Sequence, residues 1–336
     1  MSDGGLAARV GGSVGAFDRD QWNALAGTDN PFVSYEFLTA LEDSGSVGAG
    51  TGWQPAPLVI SEDDGPLLAA MPAYLKGHSQ GEYVFDHNWA DAYERAGGNY
   101  YPKLQIAAPF TPATGPRLLL SDDAFAAPLL AAAEQLCLQN RFSGAHATFI
   151  EPAQQPLFEA AGWMLRADIQ FHWHNHGFAS FDEFLETLAS RKRKDLRKER
   201  AAAQAEVEIR RLNGDDIRPE HWDAFWQFYQ DTGARKWGTP YLTRDAFDLF
   251  AGLGEFGLGV VLDPPRKGVQ DALLVVVAHR DDEGKAVLFD IVGIEPGEGR
   301  AFRVGQRIQS GDVSPEDLAR LREQFQSGNF NPESLV

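Results

Sequence analysis

The sequence predicts an α/β protein with mixed sheets, divided between two domains. Three observations predict it. A length of 336 residues suits about two domains of ordinary size. Apolar runs rich in β-branched residues alternate along the chain with stretches of helical period. From residue 180 the order reads helix, strand, helix, helix, strand, strand, and mixed sheets with helices on their faces are the economical packing for that order.

The elements follow in turn. Asn30-Pro31-Phe32 opens a helical pattern with Phe37, Leu38 and Leu41 at helical spacing. Residues 58–60 and 67–75 read as a strand pair turned at Asp63-Asp64-Gly65. Residues 77–117 form a long aromatic, Gly- and Pro-rich section with little periodicity, the kind of irregular stretch that a compact domain keeps for function. Residues 124–138 are a helix and 147–150 a short buried strand. Residues 165–176 alternate cleanly as a strand, with Ile169, Phe171 and Trp173 on one face and His172, His174 and His176 on the other. Ser180-Phe181-Asp182-Glu183 matches a capping box that starts a helix. Val207 and Ile209 alternate with charges as a strand. Trp222, Phe225, Trp226 and Tyr229 fall at i, i+3, i+4 and i+7, so 221–231 is an amphipathic helix, followed by another near 241–250. Residues 273–278 and 286–292 form a buried hairpin.

Composition excludes several classes. A hydrophobic fraction of 43% is that of a chain with a core, and no apolar stretch approaches the roughly 20 residues of a membrane span. The first residues lack the basic start and apolar run of a secretory signal. The single cysteine, Cys137, lies in an Ala/Leu-rich helical pattern and reads as a small buried hydrophobe; with no internal disulfide open to it, the chain is expected in a reducing cytoplasm. A formal charge of −18 argues against general nucleic-acid binding, while leaving room for a polyanion such as tRNA on a local basic patch. The three alternating histidines invite a metal reading, but no other cluster supports it and no metal is expected.

One basic patch stands out. Residues 190–200 carry seven cations in an otherwise acidic protein. With Ser190 as N-cap, the first turn of the helix is cationic, where the macrodipole disfavours cations by roughly 0.3–1 kcal/mol each and favours an anion. Arg193, Arg197 and Arg200 share one face and Arg191, Lys194 and Lys198 another, so either face is placed to grip a phosphate-bearing ligand.

Several strings resemble the bacterial FemAB-like N-acyltransferases. They are Asn30-Pro-Phe-Val-Ser-Tyr-Glu-Phe-Leu, Gly81-Glu-Tyr-Val-Phe-Asp, Trp89-Ala-Asp-Ala-Tyr-Glu, Tyr100-Tyr-Pro-Lys-Leu-Gln, Pro109-Phe-Thr-Pro-Ala-Thr-Gly-Pro-Arg, Gln170-Phe-His-Trp and Arg235-Lys-Trp-Gly-Thr-Pro-Tyr-Leu-Thr-Arg, with the basic segment 190–200 beside them. The resemblance implies tandem domains of the GCN-five-related acetyltransferase (GNAT) type: a first domain over 1–164, a second, partial one over 165–298, and a divergent tail over 299–336 holding one helix that starts at Ser314-Pro315-Glu316-Asp317. It implies transfer of an acyl or aminoacyl group from a CoA thioester or an aminoacyl-tRNA ester to an amine acceptor, in a setting linked to peptidoglycan precursors. From Glu295 onward the chain departs from the family pattern; a small-molecule-binding module that has lost its donor site is the alternative.

Acyl transfer to an ammonium group needs a proton acceptor. In the irregular section Asp86 or Asp91 is placed for that role, Tyr100 or Tyr101 for protonating the leaving group, and Lys103 for holding substrate. Thr111 and Thr114 lie in a Pro/Gly turn that either presents backbone amides to an acyl oxygen or serves as a rigid corner. Arg235, Lys236 and Trp237 are a candidate clamp for an anionic acceptor, and Arg193, Lys194 and Arg197 the candidate donor-phosphate site.

Overall fold

The computed structural model describes residues 6–62, 65–84, 86–167, 175–205, 212, 216–235, 239–253, 256–261, 274–280 and 286–292. The chain forms two compact units, one of Met1–His174, Arg210–Val261 and Leu273–Val292, the other of Asn175–Ile209, Leu262–Ala272 and Gly293–Val336.

The first unit opens with β1 (Leu6–Val10), α1 (Arg19–Ala26) and α2 (Tyr35–Asp43). Asp18 caps α1 through the amide of Gln21, and Ser34 caps α2 through that of Phe37. Next come β2 (Trp53–Pro55), β3 (Leu58–Glu62), β4 (Leu67–Met71) and β5 (Ala73–Lys76). The expected strand pair is present as β3 and β4, antiparallel with Leu58 opposite Met71. The run 67–75, read as one strand, is broken at Pro72, and on the partner side Pro57 separates β2 from β3, which holds the expected run 58–60. Proline has no N–H to continue a ladder, so each run crosses there from one sheet to another. One sheet has the order β1-β3-β4-β7 and the other β2-β5-β6-β8.

The section 77–117, read as irregular, contains α3 (His87–Arg95) and β6 (Lys103–Ile106). Both are short and flanked by Gly, Pro and Tyr, which hid their period. After them come β7 (Leu119–Leu120), α4 (Ala126–Asn140), β8 (Ala145–Ala147) and α5 (Gln155–Ala160). The strand expected at 147–150 is displaced to β8, which pairs parallel with β6; Ile150 makes only an isolated bridge to Gly115. Cys137 is buried on α4, and burial pushes its thiol up to about 11, as a core residue rather than a nucleophile.

The second unit contributes α6 (Phe181–Glu186) and α7 (Ser190–Gln204). Ser180 caps α6 as the capping box predicts, its hydroxyl accepting from the Glu183 amide. The helix does restart for the basic segment, but Ala189 is the N-cap and Ser190 the first helical residue, with no side-chain cap.

The chain returns to the first unit with α8 (Pro219–Arg235), α9 (Arg244–Gly252), β9 (Phe256–Val261), β10 (Leu274–Arg280) and β11 (Ala286–Val292). Trp222 and Phe225 bury the apolar stripe of α8, as its spacing predicts, against Phe247 of α9. Thr243 caps α9 and donates to the Ser44 carbonyl, and Phe250 stacks on Phe37 at 5.4 Å, fixing α9 to α2. The expected hairpin strands β10 and β11 pair antiparallel, with β9 on the other side of β10. Gly252-Leu-Gly254-Glu-Phe-Gly257 matches a dinucleotide-binding fingerprint by letter, but the helix α9 precedes it where that fingerprint needs a strand. Of the strand expected at 165–176, residues 165–167 and 175–176 are not strand and 168–174 lie outside the described residues, as do the strand expected around 207–209 and the helix expected after Ser314.

Two apolar clusters form the core. One gathers Trp22, Phe37, Leu41, Trp53 and Tyr74; the other packs α4, through Leu129, Leu130 and Ala133, onto Ala73, Leu104 and Ile106. The period of two therefore leaves Tyr74, Lys76, Lys103 and Gln105 together on the opposite face of β5 and β6. That face positions the site.

Candidate functional site

Lys76 ends β5 and Lys103 begins β6, and the two are register partners. Like charges directly opposite on a sheet repel, and both side chains are fully buried. Two carboxylates offset them, both delivered by the segment that leaves β5 and enters α3. Glu82 Oε2 accepts from Lys103 Nζ at 2.8 Å, and its Oε1 lies 3.8 Å from Lys76 Nζ. Asp86 Oδ2 accepts from Lys103 Nζ at 2.6 Å and from the Tyr100 hydroxyl at 2.7 Å. Asp86 is the N-cap of α3, but its side chain makes no cap hydrogen bond because it turns to the lysine instead.

The local backbone explains how Glu82 reaches inward. Gly81 has φ +78°, and a Cβ there would lie 2.8 Å from the Phe110 ring, so no larger residue fits without displacement. The Trp53 indole donates to the Gln80 carbonyl at 3.0 Å, and Lys76 Nζ donates to the same oxygen at 3.0 Å while lying 3.5 Å above the Trp53 ring. Ser79 and Tyr101 join their hydroxyls at 2.8 Å. The adjacent Tyr83 holds φ +55° and stays exposed, an unfavourable conformation for a bulky residue.

Electrostatics divides the four charges. Burial lowers the Lys76 ammonium to about 7, with Glu82 working against the shift and Lys103 adding to it. Burial raises the Glu82 carboxyl, with Lys103 working against the shift. Burial also opposes ionisation of Asp86, but the hydrogen bonds from Lys103, Ser79 and Tyr100 and the Lys103 charge outweigh it and hold that carboxyl down at about 2. Burial and the Asp86 hydrogen bond push the Tyr100 hydroxyl up. His146, the register partner of Gln105 on β8, is lowered to about 4 by burial and then by Lys103, so it is neutral near pH 7.

Among the described residues, four buried polar atoms around this face have no hydrogen-bond partner: the Tyr74 hydroxyl and three pure acceptors, Glu82 Oε1, Asp86 Oδ1 and Gln105 Oε1. An unpaired buried acceptor costs about 1–3 kcal/mol, and two of the three belong to the charge cluster itself. All three call for N–H or O–H donors.

The structure thus brings together Asp86, Tyr100, Lys103 and, through Ser79, Tyr101. Asp91 lies exposed on α3, apart from the buried group. In the Pro/Gly turn, Thr111 Oγ1 takes the Ala113 amide, Phe149 O takes the Gly115 amide, and the buried Arg117 binds the Ala113 and Pro116 carbonyls. The Ala113 and Gly115 amides are thus taken internally, and Thr114, exposed, contributes its carbonyl to Asn30. Arg235 is the last residue of α8, while Lys236 and Trp237 lie outside the described residues. Arg193, Lys194 and Arg197 lie on α7, where Arg197 pairs with Asp182 at 3.1 Å on the surface and Arg200 lies 4.4 Å over the Phe181 ring.

Sequence reasoning missed Lys76 and Glu82. Lys76 closes an apolar run and reads as a surface strand end, and Glu82 sits inside a turn-rich string. A signal existed: Tyr74/Lys76 and Lys103/Gln105 show the same polar alternation against Leu75 and Leu104, visible once β6 is recognised as a strand.

The family model described as peptidoglycan biosynthesis/recognition, FemAB-like, matches residues 13–262. The chain belongs to the FemAB-like family. Membership makes it a peptidoglycan-related transferase by family, and the match spans the whole of the Lys76–Glu82–Asp86–Lys103 cluster, α7, α8 and α9. Comparison with curated proteins finds no match to the chain. Among the described residues, no group of three or more His, Cys, Asp or Glu is arranged to hold a metal, and no helix is long and apolar enough to cross a membrane.

Proposed function

We propose that this FemAB-like protein is an N-acyltransferase that moves an aminoacyl group from an aminoacyl-tRNA ester to an amine acceptor, with the acceptor's ammonium received at Glu82 and Asp86. The observation that carries the reading is the pair of buried carboxylate oxygens, Glu82 Oε1 and Asp86 Oδ1, that lack donors beside a lysine able to shed its charge near neutral pH. An ammonium group brings three N–H donors and one positive charge. With Lys76 neutral, Lys103 is left against two carboxylates, so the cluster carries one net negative charge, which one cation would balance.

The choice of tRNA over acyl-CoA rests on α7. Its seven cations against two carboxylates exceed what one pyrophosphate requires and suit a polynucleotide backbone. Its first turn holds Arg191, Lys192 and Arg193 and no acid, so the helix dipole and the side chains both favour an anion there. Arg193, Lys194 and Arg197 remain the residues assigned to donor phosphates; the surface pair of Arg197 with Asp182 is worth about 0–1 kcal/mol and yields easily to a phosphate. The mixed sheet β2-β5-β6-β8 with α4 on its face suits an acetyltransferase-like plan for 1–164, and a second such domain over 165–298 is carried over from the family resemblance.

The test is direct. The protein is incubated with tRNA charged with labelled amino acids, or with acyl-CoA, and with lysine-containing stem peptides as acceptors, and amide products are read by mass spectrometry. An aminoacyl amide formed by the wild type and lost in Asp86→Asn supports the reading. Stem peptides that bind but are never acylated by either donor would leave a binding module that has lost its donor site.

A further inference from the structure

Resting on the amine-acceptor reading, we propose that Glu82 and Lys76 together take the proton from the acceptor ammonium, while Asp86 stays an anion throughout and orients the nitrogen. Asp86 was the natural candidate for the base, yet its Oδ2 already accepts two hydrogen bonds, from Lys103 at 2.6 Å and Tyr100 at 2.7 Å. A carboxylate so held is a weak base. Its free oxygen, Oδ1, still accepts a hydrogen bond from the substrate without removing the proton.

Glu82 differs. Lys103 holds only its Oε2, and Oε1 lies free, 3.8 Å from Lys76 Nζ. Lys76 is fully buried, over the Trp53 ring, with its register partner Lys103 repelling its charge. Other titratable groups bracket the pair: His78 and Asp86 from the same segment, Lys103 from β6, Tyr100 and Tyr101 from the segment before it, and His146 from β8. His78 is lowered by burial and then by Lys76, and His146 by burial and then by Lys103, so both are held towards the neutral form and neither adds a positive charge beside Lys76.

The transfer balances. An N–H bond of the ammonium breaks as an O–H bond forms on Glu82 Oε1. That O–H breaks in turn as Lys76 Nζ gains the proton and its positive charge. The freed amine attacks the ester carbonyl carbon; a C–N bond forms, the C–O bond breaks, and the leaving hydroxyl oxygen takes the proton that nitrogen sheds on becoming an amide. Lys76 returns its proton to solvent after product leaves. Charge in the buried cluster is the same before and after the first transfer, which avoids creating an uncompensated charge there.

The experiment uses the full chain labelled with ¹³Cε-lysine and n-butylamine as probe. Lys76 is assigned by loss of its resonance in Lys76→Met and followed by NMR against pH. Expected are titration of Lys76 near neutral pH, a lower value in Glu82→Gln, and butylammonium affinity that rises about tenfold from pH 6 to pH 8 in the wild type but stays flat in Lys76→Met. Lys76 titrating in the ordinary lysine range, or butylammonium affinity independent of pH in the wild type, overturns the proton-accepting pair while leaving the ammonium site standing. No butylamine binding at any pH overturns the ammonium site, and this inference with it.

Discussion

Lys76 and Lys103 face each other as register partners on adjacent strands, both fully buried, with Glu82 reaching both from one carboxylate. Two cations side by side in a protein interior are tolerated only when acids satisfy them, so the fold depends on the segment between β5 and α3 staying folded over this sheet face. The same arrangement leaves one lysine weakly basic and two carboxylate oxygens free, which links the stability of the first unit to its chemistry.

Lys103 is the keystone of the charge balance. Lys103→Met leaves Glu82 and Asp86 buried with Lys76 as their nearest cation. Loss of one member of a buried ion group costs about 3–5 kcal/mol, so urea unfolding should show a drop of that order. In the double variant Lys103→Met/Asp86→Asn the loss should fall short of the sum of the single losses, because the pair is coupled. Additive losses would mean that the two residues do not interact.

Lys76 should leave a signature on the alkaline side. An unfolded lysine keeps its proton to about pH 10.4, while the folded Lys76 releases it near 7. Between those values the unfolded chain binds more protons, so the contribution of Lys76 to stability grows as pH rises from about 7 towards 10 and is lost as pH falls through 7. The gap in unfolding free energy between wild type and Lys76→Met should therefore widen in favour of the wild type over that window. Parallel curves would contradict a depressed Lys76.

Gly81→Ala tests the backbone that delivers Glu82. Alanine at φ +78° is strained, and its Cβ meets the Phe110 ring. Destabilisation beyond about 1 kcal/mol is expected. Trp53 reports it locally, since its indole bonds the Gln80 carbonyl next door: tryptophan emission should shift before global unfolding in urea. A variant as stable as the wild type, with unchanged emission, would show that the segment tolerates the substitution.

On α7, replacing Arg193, Lys194 and Arg197 with alanine should weaken tRNA binding and make it less sensitive to salt. The slope of log affinity against log salt should fall by about 2–3, near one unit per lost phosphate contact. The helix itself should survive, as alanine is the strongest helix former, and circular dichroism checks that. An unaltered salt slope would remove these three residues from the donor site.

The sequence by itself determined the α/β class, the caps at Ser180 and the apolar stripe of α8, because periods of two and 3.6 and capping chemistry are local. It also marked Asp86, Tyr100 and Lys103, whose aromatic, charged surroundings set them apart. It did not show β6, four residues long between a Pro-rich turn and an apolar loop, nor the break of 67–75 at Pro72 into strands of two different sheets. Those depended on which neighbour each strand met. For the same reason it passed over Lys76 and Glu82: a lysine at a strand end and a glutamate in a turn are ordinary surface residues until pairing places one lysine opposite another and buries both. Only the tertiary structure sets that juxtaposition, and with it the proton affinities on which the proposed chemistry rests, because burial and partner charge, not residue type, decide them.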